Sequence, residues 1–184
     1  MIATAPATFL PKLSVIRGDG GKTFAVTAQT GNLDRLDRKI LDALQEDASQ
    51  SLNELSDQVG LSANACWKRI KRLEESGIIE RRVALLNREK LGLGVTALVA
   101  IRTAQHDESW LDEFADGVKR IPEVVEFYRM SGAIDYMLKV VCADIRDYDR
   151  IYKKLIRAAR LSDVSAAFAM EQIKYTTKVP LDGV

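Results

Sequence analysis

The chain is poor in the side chains on which most enzymes rely. One histidine, His106, is the whole imidazole complement of its 184 residues. Without that ring there is no Ser/His or Cys/His nucleophile pair, and few metal sites remain. Cysteine is almost as scarce. Cys66 and Cys142 stand 76 positions apart with no C-x-x-C pair, which argues against a zinc cluster, a thiol redox centre and a disulfide scaffold, and fits a reducing cytoplasm. Long apolar runs are missing too: the longest uncharged stretch, 91–101, falls far short of the roughly 20 residues that span a bilayer. Residues 1–10 lack a basic start and a continuous apolar run, so neither a membrane span nor a secretory signal is expected. Excess charge is also absent, since 27 Lys and Arg face 26 Asp and Glu. Whole-chain charge therefore points to no nucleic-acid or membrane partner, and any electrostatic argument must be local.

What is present is the composition of a globular protein, 47% hydrophobic and 29% charged, with three regions of different character. Residues 1–32 mix Thr, Ala, Pro and Gly without a period and are expected to form a flexible extension. They contain Gly20-Gly21-Lys22-Thr23, which looks like the end of a phosphate loop, but the glycine required five positions before Gly21 is Ile16 and no plausible helix follows. Residues 33–90 turn helical. Leu33, Leu36, Ile40, Leu41 and Leu44 share a face, with Asp34 and Asp37 near the start where the helix dipole favours acids. Ser51 and Glu54 form a capping box for a short second helix that Gly60 stops. Ser62 caps a third, with Cys66, Ile70 and Leu73 on one face and Gly77 at its end. Three helices, the last two joined by a tight turn, predict a helix-turn-helix, and the extended character of 78–86 predicts a β wing. Residues 91–184 alternate: strand 95–102, helix 109–120, strands 124–130 and 135–142, helix 145–160, strand 164–175. The order β-α-β-β-α-β predicts a ferredoxin-like antiparallel sheet with both helices on one face. The class is thus α+β, a winged helix-turn-helix followed by a ferredoxin-like domain. The last strand has apolar residues on both faces, so a second subunit is expected to cover the sheet.

Charge separates inside the middle region. Residues 34–57 carry three bases against seven acids, and 68–82 carry six bases against three acids. At 100° per residue the third helix buries Cys66, Ile70 and Leu73, and turns Asn64, Lys68, Lys71 and Arg72 away from the core. A helix in the major groove reads bases from its first turns, where Asn pairs with adenine and Lys with guanine, and holds phosphate with bases further along. Asn64 and Lys68 are candidate base readers; Lys71, Arg72, Arg81 and Arg82 are candidate phosphate contacts, and Ser62 and Arg69 complete the candidate DNA-binding set. Trp67 falls at the edge of the core face, where packing is expected ahead of groove contact. Cys66, on the core side, is expected to act as a small buried hydrophobe. A second class remains open: a ferredoxin-like small-molecule-binding or metabolic enzyme domain without DNA binding. That reading needs polar residues able to exchange protons or hold a metal, and the chain offers one histidine and scattered carboxylates.

Further along, Ser131-Gly132-Ala133-Ile134-Asp135 joins two strands. A glycine among small residues lets backbone approach a ligand closely, and exposed N–H and C=O groups with a carboxylate can hold both ends of an amino-acid zwitterion; the same residues also make an ordinary hairpin turn.

The run Leu33-Asp-x-x-Asp-Arg-Lys-Ile-Leu41, then Gly60-Leu-Ser-x-x-x-Cys-Trp-Lys-Arg-Ile-Lys-Arg-Leu-Glu-x-x-Gly-Ile78, then Pro122-Glu-Val and Ser131-Gly132-Ala-Ile-Asp135-Tyr136, resembles the Lrp/AsnC family, the leucine-responsive or feast/famine regulators. The match spans about 33–181. It implies a sequence-specific regulator that binds double-stranded DNA and needs no cofactor, metal or membrane. It also implies dimers paired through their sheets, often assembled into octamers or larger rings. An amino-acid effector would sit at Ser131, Gly132, Ala133 and Asp135, with Tyr128, Met130 and Tyr136 as walls. The stretch Phe168-Ala-Met-Glu-Gln-Ile-Lys-Tyr-Thr-Thr177, with Cys66-Trp67 and the helix Asp144–Leu155, is similar to the bacterial cysteine-responsive regulators that activate cysteine desulfidase genes. Cysteine is therefore the first expected effector, and leucine or another apolar amino acid the second. The extension 1–32 lies outside the family pattern, and Ala133-Ile134 stands where a larger residue is often found.

Overall fold

A computed structural model describes residues 33–105, 107–158 and 161–183; the loop-like motif at 20–23 and His106 lie outside the described residues. The first three helices are α1 (Arg35–Glu46), α2 (Leu52–Val59) and α3 (Ala63–Glu75). Each start is a local event. Asp34 caps α1 and forms a capping box with Asp37, Ser51 and Glu54 do the same for α2, and the Ser62 hydroxyl accepts from the Ala65 N–H on α3, so donors left over at each helix start are satisfied. Gly60 ends α2 at φ +74°, in the left-handed region that a side chain disfavours. The three inner faces meet in one cluster: Leu33, Ile40, Leu41, Ala43, Leu55, Val59, Cys66, Ile70 and Leu73.

The expected wing does not form as paired strands. Ile79 donates its N–H to the Leu73 carbonyl and closes the turn after α3, and 80–87 then run without a ladder partner among the described residues, leaving Val83, Leu85 and Leu86 exposed. The reason is local: a two-residue hairpin wants Gly, Asn or Asp at its corner, and the Arg81-Arg82-Val83 stretch has none.

The remaining elements are β1 (Val95–Arg102), α4 (Glu108–Lys119), β2 (Val124–Arg129), β3 (Tyr136–Cys142), α5 (Ile145–Ala158) and β4 (Asp163–Phe168). Strand order is β2-β3-β1-β4 and every pairing is antiparallel, as the ferredoxin-like reading requires. Alternation sends Ala97, Val99, Ile101, Leu138 and Val140 inward, where they pack with Phe114, Val118, Ile151 and Leu155 of α4 and α5. The opposite face carries Leu98, Ala100, Met137 and Tyr128 with no layer over it among the described residues, and Leu98 and Tyr128 are exposed.

β4 is shorter than its apolar pattern suggests. Its register sets Phe168 opposite Ala97, and the Ala169 N–H makes a further bond to the Thr96 carbonyl. β1 begins at Val95, which this register sets opposite Met170, so a strand running on to 175 would have no partner in β1 beyond Met170. Met170, Ile173 and Tyr175 are exposed. The tail instead reaches α1. The Gln45 side chain accepts from the Val179 N–H and donates to the Val179 carbonyl, Lys178 pairs with Glu46 at 2.6 Å, and Leu181 packs against the helical cluster.

Candidate nucleic-acid interface and effector loop

Helix α3 is held on one side by apolar packing and on its flank by charge. Asp37 on α1 is buried, its side chain only 1% exposed, and it accepts from Arg69 Nη1 at 2.8 Å and Arg72 Nη2 at 2.5 Å. Arg69 also reaches Asp34 at 2.6 Å. A buried carboxylate is costly without partners, so these arginines lock α3 to α1. The Asp34 carboxyl is held down at about 2 by the Asp37 N–H and by Arg69.

This pairing sorts the basic residues read from the sequence. Arg69 points along the α1 seam. Arg72 is bound to Asp37 through one nitrogen while its side chain stays 57% exposed. Arg82 pairs with Glu74 at 3.0 Å, and Ser62 spends its hydroxyl on the cap. Lys71 lies 3.7 Å from Glu75 and sits over the Trp67 ring, 5.2 Å from its centroid. Asn64, Lys68 and Arg81 are exposed, and among the described residues neither Lys68 nor Arg81 has an ion pair. The outward stripe of α3 is thus Asn64, Trp67, Lys68 and Lys71, a polar and cationic strip with one large ring. Core packing of Trp67 is not what the structure has: the side chain is 49% exposed and outside the helical cluster. Helical angle placed it at an edge, and only the neighbouring helices decide whether an edge is covered.

The β2–β3 loop is closed by local bonds. The Met130 N–H donates to the Asp135 carbonyl, and the Asp135 N–H to the Ile101 carbonyl. One carboxylate oxygen of Asp135 accepts from the Thr103 N–H at 2.8 Å, so this residue anchors the loop to the end of β1. Gly132 sits at φ +131°, where a side chain is strained. Ser131, Gly132 and Ala133 are exposed to solvent, and Met130 and Tyr128 are exposed beside them. Tyr136, expected as a wall, is buried instead in an aromatic group with Trp110, Phe114 and Phe127. β alternation turns it inward with Leu138 and Val140.

One feature of this region escaped the sequence reading. Tyr128 donates to Glu126 at 2.8 Å, and Glu126 accepts from Lys139 at 2.7 Å across the β2–β3 ladder, on the uncovered face of the sheet. The Lys139 ammonium, ahead of the opposing push of burial, holds the Glu126 carboxyl below its usual range, and the hydrogen bond to Glu126, with that group's charge, raises the Tyr128 phenol. The i, i+2 spacing of Glu126 and Tyr128 was the available signal, but pairing with Lys139 needed the register. Two open cavities, of about 920 and 790 Å³, lie between α4 and α5 and beside α1, and neither includes a residue of the loop. Both thiols are buried and pushed up by that burial, the state of packing residues and not of reactive ones. Among the described residues there is no cluster suited to a metal, and no helix is long and apolar enough to cross a membrane.

Known proteins share this arrangement. Residues 33–80 match the winged helix-turn-helix DNA-binding family and residues 96–179 the Lrp/AsnC ligand binding domain. The glutamate uptake regulatory protein of Zymomonas mobilis is 54% identical over 149 residues, 81% of this chain and 91% of that protein. The DNA-binding transcriptional activator DecR of Escherichia coli is 49% identical over 151 residues, 82% of this chain and 99% of that protein. The crystal structure of transcriptional regulator NMB0573 of Neisseria meningitidis with L-Met is 32% identical, with a TM-score of 0.78, and covers 82% of this chain and 98% of that one.

Proposed function

The chain belongs to the Lrp/AsnC family of DNA-binding, amino-acid-responsive transcriptional regulators and is not an enzyme, and from that premise we propose which residues read DNA, which hold the effector and what the effector is. The observation that carries the DNA assignment is the outward stripe of α3, where Asn64, Lys68 and Lys71 project donors beside exposed Arg81 while Arg69 is spent on α1. Asn64 and Lys68 read base edges. Lys71 and Arg81 hold phosphate, and Arg72 and Arg82 add to them through the parts of their guanidinium groups that their acid partners leave over.

The effector binds at the β2–β3 loop, on backbone donors of Ser131, Gly132 and Ala133, with Tyr128 and Met130 as walls. Asp135 and Tyr136 act from below by fixing the base of the loop. Cysteine is the first effector, supported by the resemblance of 168–177 and of Cys66-Trp67 to the cysteine-responsive regulators; leucine or another apolar amino acid is the second. The exposed loop lies outside both of the cavities described above, which favours a site completed by another copy, in a homodimer built on the outer sheet face and in higher assemblies such as an octamer. We place 33–90 as the DNA-binding unit with its linker, 91–184 as the sensing and assembly unit, and 1–32 as an extension, in a protein working in the cytoplasm.

Gel shifts of the full chain on duplexes upstream of its own gene and of neighbouring operons, with each of the twenty amino acids in turn, test this reading. Cysteine is expected to change affinity or the size of the complex, and Gly132→Trp is expected to abolish the response. No shift on any duplex defeats the DNA residues proposed. A response that survives both Gly132→Trp and Asp135→Ala places the effector elsewhere.

A further inference from the structure

Trp67 is the exception on the outward face of α3, the one exposed apolar side chain among Asn64, Lys68, Lys71 and Arg72. We propose that Trp67 determines sequence specificity by packing against the 5-methyl group of a thymine in the major groove, a proposal that rests on α3 as the recognition helix.

Three observations converge on it. The ring is half exposed at the middle of the helix, where the residues on either side carry hydrogen-bond donors. The Lys71 ammonium lies 5.2 Å from the ring centroid and so steadies one face of the indole. The other face and the rim remain for contact. Of the groups that the four base pairs display in the major groove, the thymine methyl is the apolar one, so a flat apolar ring there discriminates for thymine where lysine discriminates for guanine. Spacing adds a register. Asn64 and Trp67 are separated by about 4.5 Å along the helix axis, near the base-pair step of about 3.4 Å, so an adenine read by Asn64 and a methyl read by Trp67 fall on the same or adjacent A·T pairs.

The test uses uracil, which differs from thymine in the major groove by that methyl alone. Full-length protein selects its sites from a random duplex library, and each thymine of the selected site is replaced in turn by uracil. For the wild-type chain, one thymine per half-site is expected to lose about fourfold in affinity on replacement, the effect of returning one methyl to water. Trp67→Ala is expected to bind thymine and uracil duplexes equally, with its salt dependence unchanged. Circular dichroism checks the fold. If Trp67→Ala unfolds, the pair Trp67→Leu and Trp67→Gln replaces it, with leucine expected to keep part of the methyl effect and glutamine none. The proposal is overturned if no thymine shows the effect, if Trp67→Ala retains it, or if the ring instead inserts between base steps, seen as a bend in the duplex without sensitivity to the methyl. Wild-type protein that binds no duplex defeats the recognition-helix reading itself. Strong binding without a uracil effect defeats only the role of Trp67.

Discussion

Removing the Asp37 carboxylate tests the account of how α3 is held. Its side chain is 1% exposed, and it accepts from the Asp34 N–H at 3.1 Å, Arg69 at 2.8 Å and Arg72 at 2.5 Å. Breaking a buried pair by deleting one partner costs about 3–5 kcal/mol, because the other charge is stranded. Here the stranding is partial: Arg69 keeps Asp34 at 2.6 Å, and Arg72 is 57% exposed, so water takes back its charge. The exposed pair then contributes at most about 1 kcal/mol, the shielded hydrogen bond to Arg69 about 1.5 kcal/mol, and the lost half of the capping box about 0.5–1 kcal/mol. Asp37→Ala should therefore destabilise the helical unit by about 3 kcal/mol, which in a small domain lowers its melting temperature by roughly 12–24 °C. Thermal melts of the full chain by far-UV circular dichroism, read against hydrogen exchange of α1–α3 amides, measure it. Arg69→Ala should cost less than Asp37→Ala, and Arg72→Ala least. A drop of under about 3 °C for Asp37→Ala, or a larger cost for Arg72→Ala, refutes the reasoning, since the first would mean that the carboxylate is dispensable and the second that exposure does not weaken the pair.

Four further outcomes follow from the same geometry. Lys71→Ala should weaken binding to all duplexes and reduce the salt slope by about one, the signature of one phosphate contact; a slope unchanged from wild type removes Lys71 from the interface. The Asp34 carboxyl is depressed from 3.8 to about 2, so its contribution is present above about pH 4 and lost as pH falls toward 2; Asp34→Asn should flatten the acid limb of the stability curve in that window, and an identical limb would contradict the assignment. A Cβ on Gly117 would sit 2.7 Å from the Ala158 Cβ, so Gly117→Ala is expected to destabilise by about 1–3 kcal/mol through overpacking despite alanine's higher helix propensity; a stabilised variant in urea titration shows that α4 and α5 separate at little cost. Gln45→Ala removes both bonds to Val179 and should speed exchange of the Val179 amide and cleavage of the tail by carboxypeptidase, and unchanged protection would mean that Leu181 and Lys178 suffice.

What could be read in the sequence was short-range. Ser51 with Glu54 and Ser62 with the run to Leu73 specify caps and inner faces within a few residues of themselves, so three helices and their turn follow from local hydrogen bonding and a period of 3.6. The alternation of strand and helix lengths in 95–168 was enough for the ferredoxin-like order, because few topologies satisfy β-α-β-β-α-β. The chain also shows its basic stretch and its Gly132 loop plainly. What tertiary structure decided was the use of each side chain. Arg69 and Arg72 lie on the basic stretch in sequence but turn back on Asp37, more than thirty positions earlier. Tyr136 adjoins the loop in sequence and belongs to the core in space. Trp67 stands half exposed at a helical edge, and the register leaves β1 only two residues beyond the end of β4. Periodicity reports which way a residue faces along its own element; whether that direction meets a partner, a core or water depends on elements distant in the chain, and packing alone brings those together.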